Sequence, residues 1–381
     1  MLELPPLGLY IHIPWCVRKC PYCDFNSHEA SSILPESDYV QALCDDFDQD
    51  FEFIQGRSIQ SVFIGGGTPS LFSAGAYQHL FQHLRRRADF ALDCEITLEA
   101  NPGTAEAAKF AAYRDAGINR LSLGIQSFDD AQLNTLGRIH SADEARIAIA
   151  IARAVGFDNF NLDLMFGLPD QSPAQALHDL QRALEYQPTH LSWYQLTIEP
   201  NTVFYNKPPP IPAEEPILEM QELGQQLLET RSYARYEVSA YARSGRESLH
   251  NLNYWQFGDY LGIGAGAHGK VSKIVDGALT VGRTRKIKQP KHYLVSSVNR
   301  CAEHQQLKAS DLPLEFLLNA LRLKRGFTEL LFEQRTGVSF STIGKRVEYL
   351  VSQGMLARDE LLIRPTDKGY ALLNSVLEEF I

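Results

Sequence analysis

Three of the six cysteines, Cys16, Cys20 and Cys23, fall within eight residues of one another in the stretch HIPWCVRKCPYCDF. The spacing C-x3-C-x2-C makes a ligand loop. Pro14 and Pro21 oppose helix there, so the segment reads as an irregular loop after a short strand, Leu9 to Ile13. Thiolates are soft donors that select zinc or iron–sulfur clusters. Structural zinc wants four closed ligands, and the fourth would have to be His12, His28 or Cys44, none at a familiar finger spacing. A [4Fe–4S] cluster held by three cysteines leaves one iron open to a ligand, which is a functional arrangement, and this reading is preferred over zinc or inert thiols. Cys44, Cys94 and Cys301 read as ordinary core thiols.

The elements that must position this loop alternate strand with helix. Apolar runs at Ser61–Gly65, Glu95–Leu98, Arg120–Ile125, Phe160–Met165 and His190–Ile198 are separated by helical stretches over 74–88, 105–116, 143–155 and 173–186. Read as apolar on both faces, the strands predict a parallel sheet covered by helices. With Leu9–Ile13 they make six units, an incomplete barrel. Polar groups sit at the strand ends: Gly65-Gly66-Gly67-Thr68-Pro69, Glu99, Gln126-Ser127, and Asp163 ahead of Gly167. Active sites of such barrels lie at the carboxyl ends of the strands. One mouth therefore collects the cysteine loop, a glycine turn through which backbone amides can approach a ligand, and carboxylates suited to an ammonium or ribose. Arg138 can grip a carboxylate with two prongs. An amino acid, a ribose and a carboxylate partner are together the demands of S-adenosylmethionine (SAM).

Composition is that of an ordinary globular protein, 44% hydrophobic, with 36 Lys+Arg against 46 Asp+Glu and a net charge of −10. That acidic balance argues against bulk nucleic-acid binding, and no apolar run reaches the length of a membrane-spanning helix. The opening MLELPPLGLYIHIPWC has an acidic residue and two prolines where a signal peptide needs a basic flank and an apolar core, so a cytoplasmic location is expected.

These motifs resemble the radical SAM superfamily, whose signature is C-x3-C-x2-C. In that family three cysteines bind a [4Fe–4S] cluster, the SAM amino and carboxylate groups chelate the open iron, and electron transfer cleaves SAM to a 5′-deoxyadenosyl radical. YIHIPWC, IGGGTPS, LEANP, RLSLGIQSF and NLDLMFGLP narrow the resemblance to the oxygen-independent coproporphyrinogen III oxidase branch, over nearly the whole chain. The resemblance implies that Tyr10, Gly66, Gly67, Thr68 and Glu99 contact SAM. Gln126, Arg138 and Asp163 match contacts described in the oxidase for a second SAM, and Tyr22 stands where the oxidase has a phenylalanine beside the cluster. The implied fold is α/β: an incomplete (β/α)6 TIM-like barrel of the radical SAM type with a C-terminal winged-helix-like domain. The domains expected are 1–240 for the barrel, 241–310 for a connecting region and 311–381 for the C-terminal unit.

Two departures from the oxidase pattern matter. The oxidase motif continues to a fourth cysteine needed for activity, where this chain has Phe25. Further on, His250, Asn251, Tyr254 and Trp255 spell H-N-x-x-Y-W, the marker of the HemW group of haem chaperones. A histidine followed by aromatics offers an axial imidazole and flat apolar surface for a macrocycle. Read alone, His250 is a loop histidine bonded to backbone and Trp255 a core residue; the resemblance makes all four haem contacts, with His268 a second candidate in a glycine-rich turn at the barrel mouth.

The remaining segments are less specific. Tyr205–Pro212 reads as a stiff extended connector, followed by a helix over 213–230. The basic run Arg283–Lys291 reads as solvated surface, with haem propionates, an acidic partner or anionic lipid heads as alternatives. From Asp311 on, three helices, a hairpin and a final helix resemble a winged helix. Its nine Lys/Arg against ten Asp/Glu lack the positive footprint DNA requires, so a cap or protein-contact role is expected.

The resulting reading is a chaperone that holds haem and passes it to haem-accepting proteins, with a [4Fe–4S] cluster, SAM and haem as cofactors and no nucleic acid as partner. Peripheral membrane contact and a homodimer are left open, and no residue is assigned as catalytic. The alternatives are oxidative decarboxylation of coproporphyrinogen III, and radical chemistry on another substrate.

Overall fold

The structure, a computed structural model, describes residues 3–30, 33–103, 107–295 and 299–381. Its strand–helix units build β1 (Leu7–Ile13), β2 (Ile59–Gly66), β3 (Phe90–Ala100), β4 (Arg120–Gln126), β5 (Phe160–Phe166) and β6 (His190–Gln195). These lie side by side in chain order, each parallel to the next, as a partial barrel requires. The connecting helices have local reasons to form. Ser141 and Ser172 close capping boxes with Glu144 and Gln175 at the starts of Ala142–Ala154 and Pro173–Glu185. Each helix buries a stripe at spacings of three and four, such as Ala145, Ala148, Ile149 and Ala152. The helix expected over 105–116 begins outside the described residues and is seen as Phe110–Asp115.

The strands are not apolar on both faces. Leu7, Leu9, Ile11 and Ile13 join the core under the helices, whereas Gly8, Tyr10 and His12 alternate with them on the inner face. The same period of two repeats around the barrel, bringing Ser61, Glu95, Thr97, Glu99, Arg120, Ser122, Asn161, Asp163, His190 and Ser192 inward. Such an interior is tolerable only where its polar groups satisfy one another, and here they largely do, although Arg120 Nε makes no hydrogen bond among the described residues. Asn161 donates to Ser122 Oγ (2.8 Å) and to Asp163 (2.8 Å). His190 bonds Asn161 Oδ1 (2.7 Å) and the Tyr236 hydroxyl (2.8 Å). Arg120, almost wholly buried, lies 3.7 Å from the buried Glu95.

The sheet does not close on itself. Beyond β6 come two short antiparallel strands, β7 (Ala234–Arg235) and β8 (Ala240–Ala242), with β8 against β6. On the other side, β9 (Asp259–Ile263) lies parallel to β1, a seventh parallel strand that the six-unit reading lacked. From it β10 (His268–Val275), β11 (Ala278–Lys286) and β12 (Cys301–Gln306) run on as an antiparallel meander, giving twelve strands in all. The stretch 241–310, expected as a connecting region, thus contributes four strands to the same sheet.

Buried ion pairs fasten this extension. Asp259 accepts from Lys270 (2.8 Å), Arg57 (2.7 Å) and both the amide and hydroxyl of Ser272. Lys286 lies between Asp46 (2.6 Å) and Asp50 (2.8 Å). The basic run expected as solvated surface is therefore partly a buried strand. Cys44 and Cys94 are buried as expected, but Cys301 is half-buried on the edge strand β12.

The C-terminal unit contains the helices Leu312–Ala320, Glu329–Thr336 and Ser341–Ser352 and a three-stranded sheet formed by Phe327–Thr328 with the hairpin strands Leu356–Asp359 and Leu362–Pro365. Phe257, just ahead of β9, inserts into its core edge-on to Phe316. Among the described residues, no helix is long and apolar enough to cross a membrane.

Candidate functional site

The loop after β1 carries Cys16, Cys20 and Cys23 to the carboxyl-end mouth of the barrel, where all three thiols are free and line one cavity of about 330 Å³. The loop is pinned from both sides: Gly67 N–H donates to Ile13 O (2.7 Å), Thr68 N–H to Trp15 O (2.7 Å), and Cys23 N–H to Cys20 O (3.1 Å). Two of the three candidate fourth zinc ligands are committed elsewhere. The His12 ring is engaged by the Tyr10 hydroxyl and Asn26 O, both at 2.9 Å, and Cys44 lies within the helix Glu36–Gln49. Among the described residues, no three His, Cys, Asp or Glu donors converge on a single-ion position. Three thiols spread around a cavity suit a multinuclear cluster better than one ion.

Opposite the thiols lies the glycine turn, and here the backbone tolerates nothing larger. Gly66 has φ +113°, and a Cβ on it would sit 2.5 Å from the His12 ring. A Cβ on Gly67 would meet the Trp15 carbonyl at 2.5 Å. Glu99, accepting from Gly66 N–H at 3.2 Å, and Asp163 close the far wall. Burial first, and then the Asp163 charge, pushes the Glu99 carboxyl up to about 8. Burial likewise raises Asp163, against the pull of Asn161, Ser192 and Ser122.

Arg138 donates to Asn101 Oδ1 (2.7 Å) and Gly124 O (2.8 Å), with its other terminal nitrogen 3.6 Å from Cys20 Sγ. Gln126 takes φ +70° at the end of β4 and accepts from the Tyr194 hydroxyl at 2.8 Å. Gly66, Gly67, Thr68, Glu99, Gln126, Arg138, Asp163 and Tyr22 thus line the same cavity as the thiols. Ser122, Ser192 and Tyr194 line it too. Sequence reasoning missed these three, although the inward period of two was their signal.

Tyr10 lies on the other side of Glu99, in a second cavity of about 460 Å³ lined also by His12, His250, Tyr254, Tyr260 and His268. Phe25, Gly66 and Glu99 belong to both walls, so the two cavities are neighbours. His250 reaches the second cavity from a helix rather than a loop. Ser248 caps Leu249–Trp255, and Glu95 accepts from both the Ser248 hydroxyl (3.2 Å) and the His250 amide (3.3 Å). The His250 ring packs on Phe63 (centroids 5.3 Å apart), with Nδ1 3.0 Å from Ser61 Oγ. Nε2 has no hydrogen-bond partner among the described residues. Burial, with Arg120 second, lowers the imidazole to about 4, so it is neutral near pH 7, the form that ligates metals.

Helical geometry divides the H-N-x-x-Y-W residues. His250 and Tyr254, four apart, share the cavity face. Asn251 and Trp255 lie one position on and are not brought to the cavity. Trp255 packs beneath Arg322 of the C-terminal unit (4.3 Å), and Asn251 bonds the Tyr236 hydroxyl.

The chain matches the Radical SAM superfamily over residues 10–183 and the HemN C-terminal domain over residues 307–372. It is 49% identical to the heme chaperone HemW of Escherichia coli (strain K12) over the whole of both chains. It is 48% identical to that of Haemophilus influenzae over 100% of this chain and 99% of the relative. Radical S-adenosyl methionine domain-containing protein 1, mitochondrial, of Mus musculus is 36% identical over 97% of this chain and 86% of its own. Among solved structures the chain is similar to coproporphyrinogen III oxidase (HemN) from Escherichia coli, with a TM-score of 0.82 at 23% identity over 99% of this chain and 90% of that one. At that identity the likeness is one of fold.

Proposed function

The chain belongs to the HemW family of haem chaperones, within the radical SAM superfamily, and from that membership we propose that it binds haem and passes it to acceptor proteins. The observation that carries the proposal is end-to-end identity of 49% to a protein of that name, set beside a cavity with a neutral, buried imidazole on its wall. His250 is the proposed axial ligand, with Tyr254 beside the macrocycle. Asn251 and Trp255 then act by fixing the helix rather than by touching haem.

Cys16, Cys20 and Cys23 are the proposed ligands of a [4Fe–4S] cluster. Gly66, Gly67, Thr68, Glu99, Gln126, Arg138, Asp163 and Tyr22 are proposed to hold SAM in the same cavity, with Tyr10 behind Glu99. When bound, such a cluster supplies an open iron for the SAM amino and carboxylate groups and a source of one electron. The work left to the chain is to hold that cofactor pair dry and oriented. The Gly66–Thr68 turn presents backbone, Glu99 and Asp163 present carboxyl groups, and Arg138 braces the cysteine loop through Cys20. Unpaired cysteines suit a reducing compartment, and we place the protein in the cytoplasm.

The fold likeness to HemN favours oxidative decarboxylation as the second reading. Against it stands Phe25, 61% exposed on the rim between the cavities, where the oxidase pattern calls for a thiol. The test is an anaerobic haem titration of cluster-reconstituted protein, with and without SAM, followed by mixing with an apo-haemoprotein. Stoichiometric binding, weakened by His250→Ala, and onward transfer are expected. Turnover of coproporphyrinogen III with SAM and reductant, without haem transfer, would overturn the chaperone reading in favour of the oxidase.

A further inference from the structure

The second cavity changes character from its inner end to its mouth. Inside, His250 and Tyr260 are buried and Tyr10 and Tyr254 partly so, giving an aromatic chamber. At the mouth the exposed lining residues are Asp24, Phe25, His268, Arg285 and Lys288. Two of these are cations free to take a ligand. Lys288 is anchored through its backbone carbonyl, which accepts from Asn26 Nδ2 at 2.9 Å, while its ammonium has no ion pair among the described residues. Among the described residues Arg285 pairs with Glu303 alone, at 2.8 Å, and both side chains are about half exposed. Such a half-exposed pair is weak and easily exchanged.

Lys286 also lines the cavity but is committed to Asp46 and Asp50. Partial desolvation, then the Arg285 and Arg283 charges, lower the His268 imidazole, which favours a hydrogen-bonding edge over a charge there. Asp24 opposes the two cations with a single exposed carboxylate.

We propose that Arg285 and Lys288 form a carboxylate-binding rim, so that the cavity takes a tetrapyrrole dicarboxylate with its ring toward His250 and its carboxylates at the mouth. The physical reason for this orientation is solvation. An unpaired carboxylate driven to the aromatic end would pay a large desolvation cost, whereas at the mouth it keeps water and meets guanidinium and ammonium donors. The rim therefore selects for free carboxylates on an otherwise apolar ring. The proposal rests on the haem reading above and says which chemical feature of the ligand is recognised, and where.

The test compares ferric haem with its dimethyl ester, titrated in one detergent buffer into the full-length, cluster-reconstituted chain and its Arg285→Glu/Lys288→Glu variant. Both side chains are exposed, so the variant should fold, which circular dichroism checks. Haem is expected to bind the wild type about tenfold more tightly than the ester, and the double variant to lose that preference by weakening haem alone. Equal affinity for haem and ester, or a variant that weakens both alike, would overturn the rim while leaving the haem reading standing. Absence of stoichiometric haem binding by the wild type would overturn both.

Discussion

Ser61 Oγ lies 3.0 Å from Nδ1 of His250, 189 residues further along the chain, with both side chains buried inside the barrel. When the ring donates this bond, Nε2 carries the lone pair and is the nitrogen left to ligate, in a residue that lines the cavity. Partners of this kind typically set a metal ligand's affinity by about 10–100-fold. Ser61→Ala should therefore weaken haem binding by about tenfold and alter the Soret band, with SAM affinity unchanged. A titration indistinguishable from wild type would show that Ser61 does not position His250.

The cysteines make a sharp contrast. Cys20→Ser removes a donor from the thiol-lined cavity and should abolish the brown iron–sulfur absorption of anaerobically reconstituted protein. Cys301→Ser, on the edge strand β12, should leave the spectrum and the iron content unaltered. Iron retained in full by the first variant would break the ligand assignment.

Glu99 supplies a pH signature. Its carboxyl is pushed up to about 8, by burial first and then by Asp163, so it is protonated at neutral pH. A cationic sulfonium ligand selects the ionised form. SAM affinity should then climb as pH rises toward about 8 and level off above it, with proton uptake by buffer detectable calorimetrically. Glu99→Gln should flatten the profile.

Gly67→Ala places a methyl 2.5 Å from the Trp15 carbonyl, a backbone atom that cannot step aside. A loss of about 2 kcal/mol in thermal or denaturant unfolding is expected. Gly75→Ala, at an exposed position in the first turn of the helix Ala74–Arg87 where the new methyl meets nothing closer than 3.8 Å, should be neutral or stabilising by up to about 1 kcal/mol.

The cysteine loop, the six strand–helix units and the polar strand ends were legible because each is a local pattern. β9 was not, because its partner β1 lies some 250 residues away and a five-residue run beside glycines carries no sign of it. The inner polar face was present in the sequence, as Glu95, Thr97 and Glu99 or Asn161 and Asp163 at spacing two, but the apolar alternate residues dominate such runs. Arg120 illustrates the difficulty: an arginine opening a strand suggests solvent, and only the fold brings Glu95 to receive it. The motif around His250 was found as letters. That it is a capped helix, which divides its four residues between the cavity and the C-terminal unit, required the packing.

Phe25, Gly66 and Glu99 form a party wall, each with one side on the thiol chamber and the other on the histidine chamber. A ligand that moved any of the three, or changed the charge on Glu99, would alter the wall its neighbour meets. Thermodynamics makes the influence reciprocal: by whatever factor SAM changes haem affinity, haem must change SAM affinity by the same factor. On the proposed assignment of SAM to one chamber and haem to the other, any coupling through this wall would let SAM bias haem loading by binding alone, with none of it consumed.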